Sequence, residues 1–260
     1  MLLQSQIDTY AQKILDDYDA VNPSTIFKDK IRMSNEDAHL IQSAVTALRI
    51  KRGEEVIGYK IGCISKKTQN KMGFTQPAWG RLWKNELHSN GSILKKVNYA
   101  NPAMEAEFGI ILNRDINPNS ASFKYILESI ETIHPIIEIH NLVYNGEPPN
   151  GAELLANNAI HAGVVIGKPI TEKKSLQITD LKLIFDSEVI DTWSNKKWPH
   201  DMLSELEWLI KEQSKIGNIL KKGDLILTGA YGLPIPIYDK EFVEVKSTLF
   251  GNVSALFKNE

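Results

Sequence analysis

A single cysteine, Cys63, stands among 260 residues, so the chain can close no disulfide on itself and cannot build a cysteine-based zinc cluster. That scarcity fits a reducing compartment. Long apolar runs are missing as well. No stretch approaches the roughly 20 residues a helix needs to cross a bilayer, and the first ten residues carry Asp8 without the apolar run of a secretory signal. Charge of one sign is also lacking. The 30 Lys and Arg against 32 Asp and Glu leave a net charge of −2, which offers no field for a polyanion. Pairs such as Lys66-Lys67, Lys95-Lys96 and Lys221-Lys222 read as solvated surface. The expectation is a soluble, cytoplasmic protein with no nucleic-acid or membrane partner.

An apolar fraction of 42% is ordinary for a globular chain and sufficient for a core. Leu3, Ile7, Tyr10, Ala11 and Ile14 recur at helical spacing. After a break at Asn22-Pro23-Ser24, the run Ser34-Asn-Glu-Asp37 has the form of a capping box. It opens a second helix with Ala38, Ile41, Val45 and Leu48 turned inward, ending near Gly53. From Val56 onward the texture changes to short apolar runs punctuated by glycine and proline. The patterns predict strands over 56–61, 104–112, 136–139, 225–228, 242–247 and 253–257, with a strand pair over 181–190. They predict helices over 66–72, 122–133 and 201–219, a helical turn over 154–159 and a loop over 145–151. The fold class is therefore α+β, with a helical N-terminal section (1–55) packed on a β-rich body (56–260) as one compact unit.

The strongest chemical signal lies in Pro102-Ala-Met-Glu105-Ala-Glu107-Phe-Gly-Ile-Ile-Leu112. Residues two apart on a strand share a face about 7 Å apart, so Glu105 and Glu107 point together. An isolated Glu-x-Glu reads as the wet side of an amphipathic strand. Here the following Phe108, Ile110, Ile111 and Leu112 suggest a strand buried on both faces. Two carboxylates brought to roughly 5 Å repel by about 3 kcal/mol at an effective dielectric near 20, and burial adds desolvation. A divalent cation removes both penalties. Hard oxygen donors favour Mg²⁺, Mn²⁺ or Ca²⁺ over zinc. Glu138, inside His134-Pro-Ile-Ile-Glu138-Ile-His140, has a similar apolar setting and completes a face of three carboxylates. His140 shares its strand parity and is a further candidate near the metal. His39, His88, His134 and His200 form no constellation and read as structural or surface residues.

Six blocks in order, Gly58-Tyr-Lys60-Ile-Gly62, Gln76-Pro-Ala-Trp-Gly80, Glu105-Ala-Glu107, Glu138, Asn157-Asn158-Ala159 and Gly223-Asp-Leu-Ile-Leu-Thr-Gly-Ala230, resemble a known family. It is the 2-keto-4-pentenoate hydratase/4-oxalocrotonate decarboxylase branch of the fumarylacetoacetate hydrolase superfamily, and the likeness runs over residues 50 to 257. The resemblance implies a β-roll-like fold, homo-oligomeric assembly and 2-oxo acid substrates. It implies a Mg²⁺ or Mn²⁺ ion held by Glu105, Glu107 and Glu138, an active-site lysine at Lys60, and substrate-binding roles for Gln76, Asn158 and Thr228. The ending Thr228-Gly-Ala230-Tyr-Gly232 differs from the Thr-Gly-Thr-Pro usual in the hydrolase branch, which argues against C–C bond hydrolysis.

Two departures stand out. Hydratases of the family typically carry an aspartate, thought to handle the attacking water, where this chain has Ala78. The family's Asp-Asn-Ala-Ser-Ser-Gly turn is replaced by Asn157-Asn-Ala-Ile-His161-Ala162, which puts His161 forward for a polar or acid/base role. The expected activity is a metal-dependent lyase adding water to a conjugated 2-oxo acid. The alternatives are decarboxylation of a 2-oxo-3-enedioate, or a catalytically silent partner subunit or small-acid binder.

Overall fold

The computed structural model describes every residue except 23, 24, 29, 30, 143–150 and 172–176; the expected break at Pro23-Ser24 and most of the expected loop over 145–151 lie outside the described residues. Helix α1 (Gln4–Asp19) buries Ile7, Ala11, Ile14 and Leu15, while Leu3 stays exposed at its N-cap. After the short α2 (Thr25–Lys28) comes α3 (Asn35–Lys51), which starts in the predicted way. The Asp37 N–H donates to the Ser34 hydroxyl at 3.1 Å, and the Ser34 N–H returns to the Asp37 carboxylate at 3.2 Å. Its buried stripe is rotated from the predicted one, to Ala38, Ile41, Gln42, Thr46 and Arg49, with Val45 and Leu48 only half-buried. The reason is polar: Gln42 Nε2 donates to the carbonyls of Trp79 at 3.2 Å and Leu155 at 2.9 Å.

The body is built from β1 (Val56–Gly62), β2 (Ala78–Trp83), β3 (Leu87–Ser89), β4 (Ser92–Lys95), β5 (Pro102–Leu112), β6 (Ile130–Asn141), β7 (His161–Ile166), β8 (Gln177–Phe185), β9 (Glu188–Trp198), β10 (Leu225–Leu227), β11 (Ile235–Pro236), β12 (Phe242–Ser247) and β13 (Gly251–Lys258). Between them lie α4 (Lys66–Met72), α5 (Phe123–Glu128), α6 (Gly151–Ala156), α7 (His200–Leu203) and α8 (Leu206–Lys215). A large mixed sheet runs β2-β1-β10-β5-β6-β7-β3, with β11 also on β5, and curls into a half-barrel; a smaller sheet runs β4-β13-β12-β8-β9. The architecture is α+β, as the patterns predict.

Two helix expectations are corrected. The helix predicted over 122–133 stops at Glu128, and Ile130 opens the longest strand. Ile130, Thr132, Ile133, Ile136, Ile137 and Ile139 are β-branched and pack better on a pleated surface than on a helix. The helix predicted over 201–219 is two, α7 and α8, separated at Ser204-Glu205, and Gly217 in the left-handed region (φ +77°) follows the second.

The two faces of the large sheet divide the labour. Met104, Ala106, Phe108 and Ile110 on β5, with Ile137 and Ile139 on β6, enter the main core shared with the smaller sheet and α8. The opposite face carries Glu105, Glu107, Glu138 and His140. A second apolar cluster, including Ile7, Ile41, Phe74, Ala78, Leu154 and Ile160, joins the N-terminal helices to α6 and β2 beside that face. Gly58 (φ +149°) is what lets β1 lie so close to β10: a Cβ there would fall 1.9 Å from the Leu225 carbonyl oxygen. Among the described residues no helix is long and apolar enough to cross a membrane.

Candidate metal centre

Antiparallel pairing sets Glu105 on β5 directly opposite Glu138 on β6, an arrangement in which like charges repel. His140, two residues beyond Glu138, shares its face. Its Nε2 lies 2.9 Å from Glu105 Oε2 and 3.4 Å from Glu138 Oε2. One donor atom from each of Glu105, Glu138 and His140 lies within 4.8 Å of the other two, and all three residues are buried. Glu107 stands beside this group. It is fully buried; its Oε2 accepts the Gly229 N–H at 3.0 Å, and its Oε1 makes no hydrogen bond.

Lys60 on β1 completes the cluster, its Nζ 3.3 Å from Glu138 Oε1 with the side chain almost wholly enclosed. Burial alone pulls its ammonium down, but Glu138, Glu105 and Glu107 outweigh that and raise it above the ordinary lysine range. Burial likewise opposes charge on His140, yet Glu138 and Glu105 lift it to about 9. The carboxylates divide: burial and the charges of Glu138 and Glu105 push Glu107 well up. Burial works the same way on Glu138, but His140 and Lys60 hold it well below the usual carboxylate range.

Lys60, Glu105 and His140 open onto a cleft of about 450 Å³ whose remaining wall includes Cys63, Met72, Ala78, Leu154 and Ile160. Burial pushes the Cys63 thiol up to about 11. Behind Glu138 sits His161, fully buried. Its Nδ1 is 2.8 Å from Glu138 Oε1, and its Nε2 is 3.7 Å from Glu86 Oε2.

Asn158 does structural duty. Its Oδ1 accepts the Arg81 N–H at 2.7 Å and its Nδ2 donates to the Arg81 carbonyl at 2.9 Å, clamping the turn before β7 onto β2. A Cβ at Gly80 would come within 2.5 Å of the Asn158 carbonyl oxygen, which accounts for a glycine in that block. Asn158, Ala159 and Ile160 all have left-handed backbones (φ +55°, +50° and +55°), costly for residues with a side chain. Thr228 follows β10, its N–H bonded to the Phe108 carbonyl and its buried hydroxyl without a hydrogen bond. Gln76 is exposed and is not among the residues lining the cleft.

Glu86 and Arg49, which form a second buried charge cluster, do not stand out in the sequence. Glu86 takes hydrogen bonds from the Tyr18 hydroxyl (2.6 Å) and from Arg49, which also binds Glu54 and lies 4.0 Å from the Trp83 ring centroid. A signal existed for Arg49, which continues the helical spacing of Gln42 and Thr46 along a buried stripe. None marks Glu86, in a short 3₁₀ turn.

The donor set fits a divalent cation. Three enclosed carboxylates converge on one face against one lysine and the imidazoles of His140 and His161, and two of their oxygens, Glu107 Oε1 and Glu138 Oε2, lack any hydrogen bond. Ionising all three carboxylates together is costly until a cation joins them, and the upward push on Glu107 is the sign of that cost.

No family model matches the chain. Its sequence is 27% identical over 229 residues to the 2-keto-4-pentenoate hydratase of Paraburkholderia xenovorans (strain LB400), covering 87% of this chain and 85% of that protein. It is 26% identical over 197 residues, 75% of each chain, to a 4-oxalocrotonate decarboxylase of a Pseudomonas species. In three dimensions it superposes on the 4-oxalocrotonate decarboxylase from Pseudomonas putida G7, complexed with magnesium and adipate, with a TM-score of 0.90 over 99% of both chains at 20% identity.

Proposed function

Given that this chain belongs to the 2-keto-4-pentenoate hydratase/4-oxalocrotonate decarboxylase family of metal-dependent lyases, within the fumarylacetoacetate hydrolase superfamily, we propose that it is a hydratase-like enzyme. It adds water to a conjugated 2-oxo acid and uses Mg²⁺ or Mn²⁺. The observation that carries this reading is the convergence of Glu105, Glu138 and His140 within 4.8 Å beside Glu107, next to a cleft that Lys60, Glu105 and His140 line.

Glu105, Glu138 and the neighbouring Glu107 would hold the ion. When bound, a divalent cation supplies Lewis acidity toward the carboxylate and 2-oxo oxygens of a chelating acid. Lys60, the lysine of the cleft floor, pairs with the substrate carboxylate and donates a proton toward the developing enolate. Met72, Leu154 and Ile160 accept the carbon tail. His161 orients Glu138 through their 2.8 Å contact. Asn158 holds the turn that carries His161, so its part in substrate binding is indirect.

One observation favours decarboxylation as a second reading. Ala78 lines the cleft where hydratases of the family carry aspartate, and an apolar wall there leaves a departing carboxylate poorly solvated, which favours loss of CO₂. The test is turnover by metal-loaded protein of 2-hydroxypenta-2,4-dienoate, followed by loss of dienoate absorbance, and of 2-oxo-3-hexenedioate, followed by CO₂ release. Turnover of the first alone supports hydration, and turnover of the second supports decarboxylation. Turnover of neither removes the enzymatic reading.

A further inference from the structure

We propose that His140 supplies a nitrogen ligand to the cation, so that this centre selects a borderline transition ion, Mn²⁺, over Mg²⁺. The inference rests on the metal-centre reading above and goes beyond it, since that reading uses only carboxylate oxygens.

Geometry carries the argument. Strand parity puts the His140 ring on the carboxylate face, and the diagonal from Ala103↔His140 to Glu105↔Glu138 brings its Nε2 into the angle between the two acids. Among the described residues the ring has no other polar contact to orient it. Its Nδ1 is buried and makes no hydrogen bond, so the polar contacts that aim it are the 2.9 Å and 3.4 Å approaches to Glu105 and Glu138. Its side chain is 1% exposed and its ring borders the cleft, and a ring nitrogen lies within 4.8 Å of an oxygen of each acid, within reach of an ion the two would share.

Chemistry then separates the ions. Mg²⁺ takes oxygen donors in a rigid octahedron and gains little from imidazole; Mn²⁺ and later first-row ions accept it readily. The rival assignment makes His140 a permanent counter-ion that stands in the cation's place. Lys60 already supplies an enclosed positive charge beside Glu138, and a third carboxylate, Glu107, still has an oxygen without a hydrogen bond. Oxygen donors for an ion, Glu107 Oε1 and Glu138 Oε2, are thus still free of hydrogen bonds with the imidazole in place.

The decisive experiment uses the full chain stripped of metal and reloaded with Mn²⁺. Electron spin-echo modulation should show one directly bound ¹⁴N, which becomes ¹⁵N in protein grown with ¹⁵N-histidine. The coupling should vanish in His140→Gln and persist in His161→Gln. Competition titrations should give Mn²⁺ an advantage of about 100-fold over Mg²⁺, falling at least about tenfold in His140→Gln. The labelling arm needs no variant, so a poorly folding His140→Gln leaves the proposal testable. Mn²⁺ bound without nitrogen coupling overturns the inference and leaves the lyase reading standing, as does a coupling that follows His161. Failure of the wild-type chain to bind either ion overturns both and favours the counter-ion assignment.

Discussion

Two clusters of buried acid lie a few residues apart in this molecule, and they are solved in opposite ways. Under the N-terminal helices, Glu54 and Glu86 share the Arg49 guanidinium, which is covered by the Trp83 ring at 4.0 Å and the Tyr18 ring at 5.0 Å. Arg52 and Asp19 extend the network to the surface. On the curled sheet, three acids face one lysine and the imidazoles of His140 and His161, with a cleft beside them. The first cluster carries its own rigid cation and needs no other. Both leave buried carboxylate oxygens without a hydrogen bond, Glu86 Oε2 in the first and Glu107 Oε1 and Glu138 Oε2 in the second, and both border a cavity; among the described residues only the second brings two acids and an imidazole nitrogen within 4.8 Å of one another. Buried acidity beside a cavity therefore does not by itself mark a metal site; donor atoms of several side chains converging within reach of one ion do. His161 lies between the two, 2.8 Å from Glu138 and 3.7 Å from Glu86.

The contrast breaks most sharply at Glu138. Glu138→Gln keeps the shape and removes the charge, and turnover should fall at least about 1000-fold, roughly 4 kcal/mol, with divalent affinity lost in calorimetry; Glu107→Gln should abolish activity and weaken metal binding. A Glu138→Gln enzyme with wild-type kinetics would take that residue out of the centre. Arg49→Met attacks the other cluster and should cost about 3–5 kcal/mol in urea unfolding by stranding Glu54 and Glu86, while Mn²⁺ affinity stays within about threefold. Loss of metal binding in that variant would mean that the two clusters are not separate systems.

Stripping the metal should matter only to the second cluster. An ion at about 100 times its dissociation constant adds about 2.7 kcal/mol, so chelation should lower Tm by roughly 5–10 °C for a chain of this size. The same treatment of Glu138→Gln should leave Tm unmoved. The smallest effect serves as a control: Ser34→Ala removes the α3 cap at a cost of about 1 kcal/mol, with turnover and metal affinity unchanged.

The acidic face was legible because strand parity is a local rule. Glu105 and Glu107 are two apart in an apolar run, and Glu138 and His140 repeat the pattern; nothing beyond a period of two is needed to align them. The class of fold was legible from the shift at Val56 from helical spacing to short apolar runs. Arg49 and Glu86 were hidden because their pairing is long-range, and a charge on a helix reads as solvated until the other side of the groove is known. The 122–133 segment misled for a related reason. Ser122 caps a real helix, but the isoleucines that follow belong to a sheet whose other strands are distant in sequence. The motif positions Gln76 and Asn158 show a further limit: a residue type at a familiar spacing does not reveal whether its amide meets a ligand or, as with Asn158, the backbone of Arg81.

The alignment of β5 on β6 has a consequence for how the chain reaches this state. A slip of one residue between these strands would turn one strand's acids toward the opposite side of the sheet and scatter the donors. Correct zippering and the donor set are thus one specification. An ion held by Glu105 and Glu138 while the two strands are still pairing would reward the native alignment over its shifted neighbours, and so would act as a proofreading device during folding.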